Sequence, residues 1–194
     1  MKIVCIGDSL TAGYGVKKGE DWISLLNKRG DNEYINKGIS GDTTSGMLAR
    51  FREDVVNLSP QYVLILGGLN DYIAGGETEG VKVNYMAMVH HAAHNRITPI
   101  VGIAPDLIPS AAPPLWRQFT DFNVVLEKHM AFREWAPSFC KAFGLPSVDF
   151  WPLAEKSSHL KPEQRFLDGL HLSPASHEIL AAMALEVIEG KNVG

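Results

Sequence analysis

Much that would narrow the function is missing from this 194-residue chain. It holds only two cysteines, Cys5 and Cys140, too few for a disulfide framework and in keeping with a reducing, cytoplasmic compartment. Lys and Arg never cluster and the net charge is −4, so no basic field draws nucleic acid. No apolar run is long enough to span a bilayer. The opening stretch Met1–Ile6 is also too short for a signal peptide. Gly-x-Gly-x-x-Gly and the phosphate-loop pattern are absent, which removes support for nucleotide binding. No His-Glu-x-x-His occurs, and His90, His91 and His94 read as a solvated helix face, so neither a metal nor a cofactor is expected. The Gly-x-Ser-x-Gly elbow of α/β-hydrolases is missing too. Without repeats or linker-like stretches, residues 1–194 read as a single domain.

What is present is a soluble composition, 45% hydrophobic and 21% charged, enough to build a full core. Short strand-like runs alternate with longer helical stretches, which points to a parallel sheet with helices on both faces. Strands are expected at Lys2–Ile6, Glu33–Asn36, Tyr62–Leu66, Pro99–Ala104 and Ser147–Phe150. Helices are expected near Asp21–Lys28, Ser45–Asn57, Val81–Asn95 and Leu115–Phe143, the last bent or broken at Pro137. The final helix is announced by Ser173 as its cap and Pro174 in its first turn. Its expected apolar stripe runs Ile179, Leu180, Met183, Ala184, Val187 and Ile188, which leaves His177 at the surface. Trp116, Phe119, Phe122 and Trp135 read as core or pocket wall on the long helix.

Four polar clusters fall beyond the carboxyl ends of strands, where open parallel sheets collect catalytic groups. They are Gly7-Asp8-Ser9-Leu10, the loop from Gly38 to Thr43, Gly67-Gly68-Leu69-Asn70-Asp71, and Asp168-Gly169-Leu170-His171. Together they suggest acyl transfer. Ser9 needs a base to become a nucleophile, and a histidine suits that task. Asp168, three residues before His171, can hold the imidazole and stabilise its charged form. An oxyanion needs donors, for which the Ser9 N–H, the Gly41 N–H and the Asn70 amide are the candidates. Glycine at 41 would also allow close backbone approach. Asp8, Asp42 and Asp71 read as loop supports.

Singly, each cluster could be an ordinary turn. In this order, they resemble the SGNH hydrolases, also called the GDSL esterase/lipase family. That family draws Ser from Gly-Asp-Ser-Leu, Gly from a second loop, Asn from Gly-x-Asn-Asp and His from Asp-x-x-His. Ser9, Gly41, Asn70 and Asp168/His171 match in turn, over nearly the whole chain. The second loop also contains Gly38, but Ser40-Gly41-Asp42-Thr43 matches the family better. The resemblance implies a three-layer α/β/α sandwich with a flavodoxin-like, five-stranded parallel sheet. It also implies cofactor-free ester hydrolysis through an acyl-enzyme. The segment around residues 33–43 leans toward the lysophospholipase/thioesterase branch. Leu69, Leu107, Ile108, Leu115 and Trp116 are the candidate acyl-pocket residues. The expected partner is a small-molecule acyl ester. Two rivals remain open: an acetyl esterase of sugars or small metabolites, and a non-catalytic binding protein on the same fold.

Overall fold

A computed structural model describes residues 1–190. Five strands, β1 (Lys2–Gly7), β2 (Glu33–Gly38), β3 (Tyr62–Leu66), β4 (Thr98–Ile103) and β5 (Ser147–Asp149), form one sheet in the order β2-β1-β3-β4-β5. Every pairing is parallel. The central strands need no polar face, because helices cover both sides. Ile3–Ile6 and Val63–Leu66 are accordingly fully buried apolar runs. The helices in chain order are α1 (Ser9–Ala12), α2 (Trp22–Leu26), α3 (Thr44–Ala49), α4 (Phe51–Asp54), α5 (Leu69–Ile73), α6 (Thr78–His94), α7 (Phe122–Phe143), α8 (Leu153–Lys156), α9 (Pro162–Arg165) and α10 (Pro174–Ile188). Right-handed crossovers put α2 on one face and α3, α6 and α7 on the other. α10 packs against α2, and Trp22 meets Phe150 with ring centroids 5.7 Å apart. On the opposite face, buried Tyr85 of α6 lies 4.8 Å from Phe132 of α7 and donates toward backbone carbonyls at the ends of β3 and β4.

Strand order reverses beside β1. β2 lies on one side of it and β3 on the other, which opens a crevice beyond the carboxyl ends of these strands. The register Gly7↔Gly38 and Gly7↔Leu66 brings the loops after β1, β2 and β3 to the same level.

Several elements depart from expectation. The helix expected at Ser45–Asn57 is broken into α3, α4 and a 3₁₀ turn at Val56–Leu58. Arg50 leaves helical geometry between the first two, because its guanidinium is tied to four surrounding acceptors. The long helix begins at Phe122, capped by Asp121, rather than at Leu115. Ahead of it, Pro113 and Pro114 allow only a single 3₁₀ turn, Trp116–Gln118, so Trp116 and Phe119 are not on the helix. The helix runs through Pro137 without ending, and that residue is on the exposed side. Asn70 and Asp71 are in the first turn of α5 rather than in an open loop. His177 is 1% exposed instead of at the surface, and its Nδ1 accepts the Trp22 N–H at 3.3 Å. Ser173 does cap α10, accepting from the Ser176 N–H, with Pro174 next. Among the described residues no helix is long and apolar enough to cross a membrane.

Candidate active site

The sequence places serine first in α1 because Asp8 ends β1 with a cap: its Oδ1 accepts the Leu10 N–H at 2.9 Å. Ser9 is thus the opening residue of the helix and borders the crevice. Burial pushes the Asp8 carboxyl up to about 7, against the pull of the Leu10 N–H, and the charges of Asp42 and Asp71 push the same way. Asp8 is a fully enclosed support beneath the serine.

The second loop is held to the first through Arg50. Its Nε meets Asp42 Oδ2 at 2.8 Å, its Nη1 meets Asp54 Oδ2 at 2.7 Å, and its Nη2 donates to the Gly7 carbonyl at 2.9 Å. The third loop is laced to the second. Asp71 accepts from the Thr44 N–H at 2.9 Å and from its hydroxyl at 2.6 Å, while Asn70 Nδ2 donates to the Asp42 carbonyl at 2.9 Å. One amide hydrogen of Asn70 is thereby committed, and the other is free to face the crevice. The two glycines of the second loop do different work. Gly38 is packed so closely that a Cβ would stand 2.2 Å from the Ala12 nitrogen. Gly41 has open space where a Cβ would go, contrary to the close approach expected of it. It is required instead by its φ of 83°, which turns the backbone at the crevice.

The fourth cluster folds on its own carboxylate. Asp168 Oδ1 accepts the N–H groups of Leu170 (3.1 Å) and His171 (2.7 Å), and its Oδ2 meets His171 Nδ1 at 2.7 Å. Burial raises the Asp168 carboxyl, but the bonds from the His171 ring and backbone outweigh it and hold the group below the usual carboxylate range. The Leu167 N–H closes the loop onto the His171 carbonyl at 2.7 Å, and the Ile108 N–H pins Gly169 from the neighbouring segment at 2.8 Å. His171 Nε2 then stands 3.1 Å from Ser9 Oγ.

These groups share one cleft of about 330 Å³, bordered by Ser9, Gly41, Asn70, Asp168 and His171. Of the five candidate pocket residues, Trp116 lines it. Leu69 and Leu107 do not, because both are buried in the core. Ile108 packs partly buried against the core, and Leu115 is 65% exposed because the chain bends at Pro113-Pro114. The walls are instead Ile73, Pro113, Phe122 and Leu170, with Tyr14 and Ser40 also at the edge. Ile73 was legible in principle: it is one helical turn beyond Asn70. The others depend on loop paths that periodicity does not encode. His90, His91 and His94 are exposed on α6.

A model of the GDSL-like Lipase/Acylhydrolase family matches residues 5–179. Thioesterase 1/protease 1/lysophospholipase L1 of Escherichia coli K12 is 27% identical over 172 residues, 87% of this chain and 74% of that protein. An arylesterase of Vibrio mimicus is 28% identical over 185 residues, 93% of this chain and 84% of that one. The crystal structure of a lipase/acylhydrolase from Enterococcus faecalis has a TM-score of 0.77 at 25% identity, covering 98% of this chain and 96% of its own. Strand order, loop order and family match agree: the chain belongs to the GDSL-like lipase/acylhydrolase family, on the SGNH hydrolase fold.

Proposed function

We propose that this chain is a serine hydrolase of carboxylic esters, with Ser9 as nucleophile, His171 as base and Asp168 as its orienting carboxylate. The observation that carries the reading is the unbroken hydrogen-bonded line Asp168–His171–Ser9, 2.7 and 3.1 Å long. With the Nδ1 proton held by Asp168, His171 presents an unprotonated Nε2 to the serine hydroxyl. As Ser9 Oγ bonds to the acyl carbon, its proton passes to His171. Asp168, kept ionised by its hydrogen bonds, stabilises the imidazolium. The Ser9 N–H, the Gly41 N–H and the free amide hydrogen of Asn70 receive the oxyanion. His171 then protonates the departing alcohol, and afterwards it activates the water that releases the acid.

The cleft, at about 330 Å³, is near the lower end of ligand-pocket volumes, and its walls are mostly apolar. It suits acyl groups of short to medium length. The relatives' names, a thioesterase/lysophospholipase and an arylesterase, favour acyl esters or thioesters. The same small volume favours a second reading, hydrolysis of acetylated sugars or other small acetylated metabolites. Purified protein tested on p-nitrophenyl esters from acetate to laurate, beside acetylated sugars, separates the two. Ser9→Ala should abolish turnover and labelling by a fluorophosphonate probe. Undiminished turnover in that variant would remove Ser9 as the nucleophile, and a wild type that is neither labelled nor active would leave a non-catalytic binder as the better account.

A further inference from the structure

Tyr14 is a large aromatic side chain left 54% exposed, yet its ring is 4.4 Å from the His171 ring, tilted by 43°. Its backbone is fixed to the nucleophile's own turn, since the Tyr14 N–H donates to the Ser9 carbonyl at 3.0 Å. Gly13 and Gly15 flank it with φ of 78° and 85°, a pair of left-handed residues that turns the chain outward over the cleft. Beyond the turn, Gly15 packs against Leu167, so closely that a Cβ there would stand 2.5 Å from Leu167 Cδ1. Leu167 is in turn bonded to the His171 carbonyl. The segment after the serine and the loop carrying the histidine are therefore docked twice, ring on ring and backbone on Leu167.

His171 is held at both ring nitrogens, by Asp168 and by Ser9. A turn of the imidazole about its Cβ–Cγ bond would swing Nε2 out of line with Ser9 Oγ. A contact on the face of the ring is what stops that swing. We infer that Tyr14 is a positioning residue for His171: its ring bears on the imidazole face and holds Nε2 in line with Ser9 Oγ. The same π face also favours the imidazolium formed when the serine proton is transferred. This inference rests on the triad reading above.

Kinetics of Tyr14→Ala, Tyr14→Leu and Tyr14→Phe on short p-nitrophenyl esters, run beside Ser9→Ala, test it. A misplaced base costs about ten- to a hundredfold in rate. Tyr14→Ala should lower kcat by that factor, equally across acyl lengths and with little change in KM. It should also slow fluorophosphonate labelling. Tyr14→Phe should restore kcat to within about twofold, and Tyr14→Leu, which has bulk but no ring, should fall between. Unfolding curves should overlay wild type, as the side chain is mostly in water. A wild-type kcat in Tyr14→Ala, or a loss confined to KM and dependent on acyl length, would make Tyr14 a pocket wall and overturn the inference alone. Turnover surviving in Ser9→Ala would overturn the triad and this role together.

Discussion

Replacing Asp168 separates what holds the loop from what drives the chemistry. Its Oδ1 holds the backbone of residues 170 and 171, and its Oδ2 holds the imidazole. Asp168→Asn keeps a carbonyl oxygen for the two backbone N–H groups, so the loop should survive. The amide nitrogen then faces His171 Nδ1 as a donor, where an acceptor is needed. The imidazole must present Nδ1 as its acceptor, and its proton moves to Nε2, opposite Ser9 Oγ. A base carrying its proton on the wrong nitrogen cannot take another, and an equivalent exchange lowers kcat by about 10⁴. Asp168→Ala removes both functions. It should lose a similar factor in rate and, with about 1–3 kcal/mol for each backbone donor left unpaired, should unfold at a lower temperature than the Asn variant. p-Nitrophenyl ester turnover and thermal unfolding of both variants give the two readings. An Asn variant within tenfold of the wild-type rate would refute the orienting role. Because the Asp168 carboxyl is held below its unfolded value, its stabilising contribution is fully present above the ordinary carboxylate range and is lost as pH falls through the depressed value.

Asn70→Ala should reduce kcat by about 10²–10³ with the fold intact by circular dichroism, and an unchanged rate would remove Asn70 from the oxyanion site. Arg50→Met leaves Asp42 without its cation, while Asp54 keeps Lys37 Nζ at 2.8 Å. It should cost about 3–5 kcal/mol in urea unfolding, whereas a loss under 1 kcal/mol would mean that the network is solvated. Burial pushes the imidazoles of both His129 and His177 down to about 4 from the ordinary 6.5. Both fold neutral, so stability is complete above about 6.5 and declines as pH falls toward about 4. Replacing both with Gln should flatten the unfolding temperature over that window, and an unaltered slope would contradict it.

The central strands and the site loops were readable because each is specified locally. Tyr62–Leu66 is an uninterrupted apolar run, and it emerges as β3 with those bounds. Ser9 and Asn70 sit next to glycine- or aspartate-rich turn chemistry at a strand end, and His171 beside the Asp168-Gly169 turn that precedes the last helix. The pocket walls were not readable in this way. Trp116 and Leu115 are adjacent, yet one lines the cleft and the other faces water. The difference is made by two prolines and a single turn, a path that periodicity does not encode. His177 is the opposite case. It shares a helical face with Leu180, Ala181 and Ala184, all buried, so its place in the core followed from spacing that polarity concealed.

Ser9 and His171 are 162 positions apart, yet they touch. A growing chain carries the hydroxyl from its first strand onward but lacks the imidazole until synthesis has nearly reached α10. On the proposed triad, turnover needs both ends of the fold in place. The wide separation ties the proposed chemistry to a chain folded from its first strand to the loop before α10.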